Sequence, residues 1–327
     1  MECIDLFSGC GGFSKGAEAA GVKVLCGIDV WQTAVDTYNA NFDHDGICAD
    51  LTKTTPEEIA EKIQRTHVDL IIGGPPCQGY SMAGKRDPND PRAVLFEEYM
   101  KFVVFFDPSY IIIENVPGIL TMKDKEGGLV KDTILKRLDA LGYAVKYEKL
   151  YAPDYGVPQK RRRVFFFGAK KELEKHMVFP PAKLLDSDHY VPVKDILFDR
   201  ADVDAKYFHS QRMIDGFAKR REANKKNGKG FGAQILDPDQ PSYTLFARYY
   251  KDGSDALVRY SDTEIRKLTE REAARIQSFP DDFLFKGSLC DIYKQIGNAV
   301  PVLLGKAVAK CVVDTDQAVR DGVLKGN

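Results

Sequence analysis

Val68-Asp69-Leu70-Ile71-Ile72-Gly73-Gly74-Pro75-Pro76-Cys77-Gln78-Gly79 is an apolar run closed by turn residues. It reads as a buried parallel strand whose carboxyl end carries a rigid loop. Two prolines fix the backbone just before Cys77, and glycines on both sides leave room for something to approach it. That is the mount a nucleophile needs, at the edge where open α/β sheets place their ligands. A buried structural cysteine beside a proline turn would look similar locally, so the rest of the chain has to decide.

Upstream, Glu2 to Phe7 is a short strand running into Ser8-Gly9-Cys10-Gly11-Gly12-Phe13-Ser14, then a small-residue helix ended by Gly21. This strand, glycine loop and helix open a nucleotide-type site, although Ser14 stands where a dinucleotide loop has its third glycine. A second strand, Val22 to Ile28, ends at Asp29, where a ribose hydroxyl pair would be held or the helix from Trp31 capped. A third, Ile47 to Ala49, ends at Asp50, which either meets an exocyclic amine or caps the Pro56–Arg65 helix. Downstream of Cys77, 85–92 reads as a surface loop and Arg92 to Phe106 as an amphipathic helix. The strand Tyr110-Ile111-Ile112-Ile113 then delivers Glu114 to the same sheet rim as Cys77. In an apolar site desolvation would raise the Glu114 pKa and suit it to proton donation.

A helix near 129–141 and a strand through Tyr147 and Leu150 lead to Gln159-Lys160-Arg161-Arg162-Arg163 and an apolar strand. Alternation puts Arg161 and Arg163 on one face and Arg162 on the other. From about Pro180 the regular alternation stops. Residues 206–230 carry eight Lys/Arg against two acids, and Ser242–Tyr250 mixes arginine with aromatics, as a lobe facing a polyanion would. Thr269 and Glu272 form a capping box for a helix that stops at Pro280. Ile296-Gly297-Asn298-Ala299-Val300-Pro301 reads as a polar turn before an apolar helix, Val302 to Val313.

The whole chain has 327 residues and net charge −1, so nucleic-acid binding would rest on local patches. Its seven cysteines include no Cys-x-x-Cys pair, and no zinc-spaced cluster or metal site is visible. The sequence shows no signal peptide and no apolar run near 18 residues, so the expectation is a soluble, cytoplasmic protein of a reducing compartment with no membrane contact.

In order along the chain, Asp5-Leu6-Phe7-Ser8-Gly9-Cys10-Gly11-Gly12, Gly74-Pro75-Pro76-Cys77-Gln78, Glu114-Asn115-Val116, Gln159-Lys160-Arg161-Arg162-Arg163, Arg271-Glu272-Ala273-Ala274-Arg275 and Gln295-Ile296-Gly297-Asn298-Ala299-Val300 resemble the blocks of the DNA (cytosine-5) methyltransferases of the compact prokaryotic restriction-modification type. The resemblance implies a doubly wound, Rossmann-like S-adenosylmethionine-dependent methyltransferase domain (1–180 plus 286–327) and a smaller target-recognition domain (181–285). It implies methyl transfer to C5 of a cytosine flipped out of double-stranded DNA, through a Cys77–C6 adduct, with S-adenosylhomocysteine as the by-product. Glu114 would act at N3, Arg163 at the cytosine O2, and Arg161 would support Cys77 or Glu114.

For the cofactor, the resemblance implies Phe7 on the adenine, Gly9, Gly11 and Gly12 along the methionine part, Asp29 and Val30 at the ribose, and Asp50 and Leu51 at the adenine edge. Pro76, Leu95, Asn298 and Val300 would complete that site. For DNA it implies Gln78, Ser81, Lys85, Arg86 and Gln159, with Thr244, Leu245, Arg248 and Tyr249 as candidate contacts in the second lobe. Asn115 would order a loop in the same pocket. The family more often has Glu at position 29 and Phe at position 80. A monomer is expected, and a restriction endonuclease acting on the same site is a candidate partner. The tRNA-methylating branch carries a Cys-Phe-Thr tripeptide that is absent here. A nicotinamide oxidoreductase leaves Pro75-Pro76-Cys77 and Glu114-Asn115-Val116 unexplained. A non-catalytic DNA-binding homologue is disfavoured by the intact Cys77, Glu114 and Arg163.

Overall fold

The structure is a computed structural model describing residues 1–76, 94–124, 127–226 and 233–325. It divides into two compact units, Met1–Leu150 with Arg162–Ala182 and Leu304–Asn327, and Tyr151–Arg161 with Lys183–Leu303.

The first unit is built on a seven-stranded sheet. Strands β1 (Glu2–Leu6), β2 (Lys23–Asp29), β3 (Gly46–Cys48), β4 (Leu70–Gly73) and β5 (Tyr110–Asn115) run parallel. β6 (Tyr143–Tyr151) and β7 (Arg162–Lys170) complete the order β3-β2-β1-β4-β5-β7-β6, with β7 antiparallel to β5. The central strands are apolar and β-branched because they are covered on both faces. Ile71, Ile72, Ile111, Ile112 and Ile113 are fully buried. The edges are blunted in two ways. β3 has three residues, and β6 exposes Lys146-Tyr147-Glu148-Lys149 to solvent near its middle.

Helices α1 (Gly12–Ala19), α2 (Gln32–Asn39), α3 (Pro56–Ile63), α4 (Val94–Phe106) and α5 (Val130–Ala140) connect the strands. α4 buries Tyr99, Phe102, Val103 and Phe106, and the Tyr99 hydroxyl lies 3.1 and 3.2 Å from the carbonyls of Ile71 and Ile112, on adjacent strands. Thr55, not Asp50, caps α3: Thr55 and Glu58 form a capping box with Pro56 in the first turn. Asp29 is likewise not the N-cap of α2, a position held by Trp31.

The second unit is irregular, made of short 3₁₀ turns, a hairpin of β8 (Leu257–Arg259) and β9 (Ile265–Lys267), and helices α6 (Gln211–Lys226), α7 (Glu270–Ile276) and α8 (Leu289–Asn298). α7 begins at the Thr269–Glu272 capping box. The Glu272 carboxylate also forms a fully buried pair with Arg266, at 2.7 and 2.8 Å, and accepts from the Phe198 amide at 2.9 Å. A charge buried this deeply is tolerable only when its lone pairs are matched, as they are here.

Three further expectations are corrected. Gly297 and Asn298 are not a turn but the end of α8. A Cβ on Gly297 would stand 2.5 Å from the Ala247 nitrogen and the Phe246 carbonyl carbon, so this glycine permits close backbone approach. The last helix, α9 (Val302–Lys325), runs well beyond Val313. The stretch Leu289–Gly322 is also more apolar than expected, reaching a mean hydropathy of 1.5 over 18 residues, but 56% of that window is buried within the protein, as in a core helix.

Candidate active site

The sheet order reverses at β1, which has β2 on one side and β4 on the other. Ligands of open α/β sheets sit at the carboxyl ends of strands beside such a reversal. After β1 the backbone takes three left-handed steps in five residues: Phe7 (φ 60°), Gly9 (φ 55°) and Gly11 (φ 92°). The two glycines adopt this region freely, whereas Phe7 is strained, and strain of this kind gathers at functional loops. The loop is tied to the end of β2. The Ser8 amide donates to the Ile28 carbonyl at 3.0 Å, and the Gly9 amide to Asp29 Oδ2 at 2.9 Å. Asp29 Oδ1 accepts from the Trp31 amide at 2.8 Å. Burial raises the Asp29 pKa, with the amides of Trp31 and Gly9 opposing it.

A Cβ on Gly9 would meet nothing within 4 Å, whereas one on Gly11 would lie 2.5 Å from the Phe42 ring and 2.9 Å from Tyr38. Open space therefore faces Gly9, and side-chain packing fills the equivalent space at Gly11. Beneath the loop, Ser14 donates to the fully buried Asp5 carboxylate at 2.6 Å and accepts from the Tyr38 hydroxyl at 2.9 Å. Burial pushes the Asp5 carboxyl up to about 7, against the opposing Ser14 bond. Ser14, which reads in sequence as a missing glycine, thus joins β1 to α2. Tyr38 itself fits against Gly27, where a Cβ would come within 2.3 Å of its ring. Sequence reasoning missed Asp5 and Tyr38 as supports of the loop; an acid inside an otherwise apolar strand was the available signal.

Val30 follows Asp29 with 67% of its surface exposed, an unusual position for a branched apolar side chain. Leu51 is buried, while Pro76 and Leu95 are half-buried. The Asp50 carboxylate accepts from the Thr52 hydroxyl at 2.7 Å and pairs with Lys53 at 3.1 Å, and these contacts lower its pKa, the Thr52 bond most.

At the end of β5, Glu114 and Arg163 are paired, Oε1 to Nε at 2.8 Å, with both side chains 14% exposed. The register explains the meeting. Glu114 stands opposite Phe165, so Arg163, two residues earlier on β7, is its diagonal neighbour on the same face. The carboxylate therefore faces a guanidinium rather than the apolar wall expected from sequence. Burial lowers the Arg163 pKa, with Glu114 acting in the opposite direction. Gly74 makes room for the carboxylate, since a Cβ there would lie 3.1 Å from Oε2. Asn115 Nδ2 donates to the Pro75 carbonyl at 3.1 Å, which fixes the loop that continues to Cys77. Cys77 itself, with Gln78, Tyr80, Ser81, Lys85 and Arg86, lies outside the described residues.

In the second unit, the expected DNA contacts Gln159, Leu245 and Tyr249 are corrected to scaffold positions, all three being buried. Gln159 donates to Gln277 Oε1 at 2.9 Å and accepts from the Leu245 amide at 3.1 Å. The Tyr249 hydroxyl donates to the Ala256 carbonyl and accepts from the Leu268 amide. Thr244 donates to the Lys160 carbonyl at 2.7 Å, while Arg248 keeps a largely exposed side chain near Asp255. Arg161 is buried, as alternation with an exposed Arg162 and a half-buried Arg163 predicts. Its guanidinium donates to the carbonyls of Leu245, Gly297 and Ala299 at 3.1, 3.1 and 3.2 Å. Those bonds lie within the second unit, whereas the expectation gave Arg161 to Cys77 or Glu114. Asn298 is exposed and Val300 half-buried, both in the second unit.

Residues 1–314 match the model of the C-5 cytosine-specific DNA methylases. The chain belongs to that family. It is 36% identical to the Type II methyltransferase M.DdeI of Desulfomicrobium norvegicum, over 95% of this chain and 88% of that one. Identity to the Type II methyltransferase M.NlaX of Neisseria lactamica is 34%, over 98% and 99%. Among solved structures, a protein encoded within an E. coli prophage and assigned to DNA modification methyltransferases superposes with a TM-score of 0.74 at 26% identity, covering 97% of this chain and 99% of that one. The Entamoeba histolytica methyltransferase EhMeth shares the fold, with a TM-score of 0.76 at 19% identity over 98% of each chain.

This methyltransferase is thus an enzyme of DNA cytosine C5 methylation, and family and fold together imply S-adenosylmethionine as the methyl donor. The residues present fit that group. The loop has open space in front of Gly9, a carboxylate held at the end of β2, and an exposed apolar side chain beside it.

Proposed function

We propose that this methyltransferase modifies a cytosine flipped out of a short specific sequence in duplex DNA, with Cys77 as nucleophile and Glu114 and Arg163 acting on the base. The observation that carries the reading is the Glu114–Arg163 pair, held beside a Pro75-Pro76 segment that Asn115 anchors and that runs directly into Cys77. Cytosine C5 is a poor nucleophile. Addition of the Cys77 thiolate to C6 forms a C–S bond and moves electron density into the ring, where N3 takes a proton from Glu114 and C5 gains enamine character. Oε1 is engaged by Arg163, which leaves Oε2, over Gly74, for that proton. Arg163 holds the cytosine O2. S-adenosylmethionine, when bound, supplies an electrophilic methyl group. Once C5 carries the methyl, loss of the C5 proton to solvent water breaks the C6–S bond and returns the thiolate, and N3 gives its proton back to Glu114.

Phe7, Gly9, Gly12, Asp29, Val30, Asp50, Leu51, Pro76 and Leu95 hold the donor in this reading. Extruding the base costs a few kcal/mol, which DNA contacts from Gln78, Ser81, Lys85 and Arg86, the positions implied by the resemblance, would help to offset. The second unit serves target recognition, with Thr244 and Arg248 as the remaining contact candidates. In this reading the protein works as a cytoplasmic monomer, as the modification partner of an endonuclease or alone; the Type II methyltransferase names of its relatives support the modification role.

Bisulfite sequencing of genomic DNA from cells expressing the chain tests the reading. Protected cytosines in one recurring context are expected, and Cys77→Ser should abolish them while S-adenosylhomocysteine still binds. Labelled methyl in tRNA without protected DNA cytosines would overturn the DNA assignment, and turnover by Cys77→Ser would overturn the mechanism.

A further inference from the structure

Helix α6 carries six Lys/Arg and two acids among its 16 residues, and their placement is not random. Its inner face buries Ile214 and Phe217 against Leu257 and Ile265 of the β8–β9 hairpin. Arg212, Lys219 and Lys226 recur every seven residues and are exposed. At about 3.6 residues per turn they fall within about 40° of one another, on the pole opposite Ile214 and Phe217. The stripe they form is about 21 Å long with cations about 10 Å apart. No carboxylate among the described residues pairs with these three, whereas the neighbouring Arg220 is held by Asp252 at 3.1 Å. Asp215 and Glu222 stand four residues before Lys219 and Lys226, the spacing of ordinary i,i+4 pairs, yet neither forms an ion pair with the stripe: Asp215 accepts from Gln211 at 2.8 Å instead, and the outward pole stays of one sign.

We propose that this stripe is a sequence-independent grip on the phosphate backbone of duplex DNA, separate from whatever reads the bases. The occupant follows from charge complementarity, since a row of fixed cations suits a polymer with one negative charge per about 1.7 Å of axis. The proposal rests on the reading that the chain binds duplex DNA. It adds which element supplies affinity without specificity.

The test is the salt dependence of binding of the full chain to a mixed-sequence DNA duplex. Neutralising three phosphate contacts in Arg212→Ala/Lys219→Ala/Lys226→Ala should lower the slope of log affinity against log salt by about 2.7. The cytosine contexts protected in cells should stay the same. Asp215→Asn/Glu222→Gln should instead tighten binding. A control lacking Lys23, Lys171 and Lys310, exposed cations of the first unit that pair with Glu2, Asp139 and Asp314, changes net charge equally and should leave the slope near that of the wild type. An unchanged slope in the α6 variant, or an equal drop in the control, overturns the grip. A shift in the protected contexts would also overturn it, by making the stripe a reader of sequence. A wild type that protects no DNA cytosine sinks the underlying reading instead, and the two failures are separable.

Discussion

Arg163 Nε and Glu114 Oε1 stand 2.8 Å apart as a diagonal pair across two antiparallel neighbours, β5 and β7. Each side chain is thereby oriented by the other before any base arrives. A carboxylate free to rotate would have to be ordered during the reaction; this one is ordered by sheet register. Glu114→Gln keeps an oxygen for Arg163 but has no proton to transfer to N3. Methyl transfer should fall by about two to four orders of magnitude. Titration calorimetry with S-adenosylhomocysteine should show little change in affinity. A rate within a few-fold of wild type would remove Glu114 from proton transfer.

Arg161 makes a different kind of contribution. Its guanidinium gathers the carbonyls of Leu245, Gly297 and Ala299, three acceptors that no shorter or single-headed cation reaches together. Arg161→Lys should leave at least one of them unmatched and lower stability by about 1–3 kcal/mol. Thermal melting and proteolytic cleavage around 243–250 both report on this. Unaltered melting with loss of activity would instead place Arg161 in the chemistry.

Asp5 predicts a pH dependence of stability. Its ordinary pKa is 3.8 and burial pushes it up to about 7, so the fold favours the protonated carboxyl. Between these values the folded state holds more protons than the unfolded one, and stability falls as pH rises. The contribution is complete below about 4 and gone above about 7, on the order of 4 kcal/mol at most. Asp5→Asn keeps an acceptor for Ser14 and should flatten melting temperature against pH across that window. Asp29, shifted in the same direction, leaves a residual slope. A variant as pH-sensitive as wild type would show that Asp5 ionises without cost.

Tyr38 and Gly27 offer a packing test. A Cβ at position 27 would enter the Tyr38 ring at 2.3 Å, so Gly27→Ala must displace the ring and break its bond to Ser14. The expected cost is about 1–3 kcal/mol. Tyr38→Leu removes the obstacle, and the double variant should be more stable than the two single costs predict. Strict additivity in chemical denaturation would mean that the clash lies elsewhere.

Much of this was legible in the sequence, for local reasons. The runs at 70–73 and 110–113 are apolar without alternation, which only a strand covered on both faces tolerates, and Thr269 with Glu272 announces a helix start three residues apart. What was not legible depends on partners far along the chain. Gln159 looks like a polar surface residue until Gln277, 118 positions away, meets it. Arg161 likewise reads as one cation in a basic run, although its acceptors lie 84 to 138 residues on. Gly297 resembles a turn residue because sequence does not reveal that Phe246 and Ala247 press against it. Nor does any local pattern in 110–116 announce that Arg163 of β7 meets Glu114, since that pairing depends on strand register.

The backbone around Thr244 and Leu245 is held by groups outside the stretch: Leu245 through its amide by Gln159 and through its carbonyl by Arg161. Main-chain anchoring of this sort is indifferent to the identity of the neighbouring side chains. A lineage could therefore exchange exposed residues such as Phe246 and Arg248 one at a time without losing the fold of the stretch. On the proposed reading of the second unit as the target-recognition part, sequence preference could then change one exposed side chain at a time.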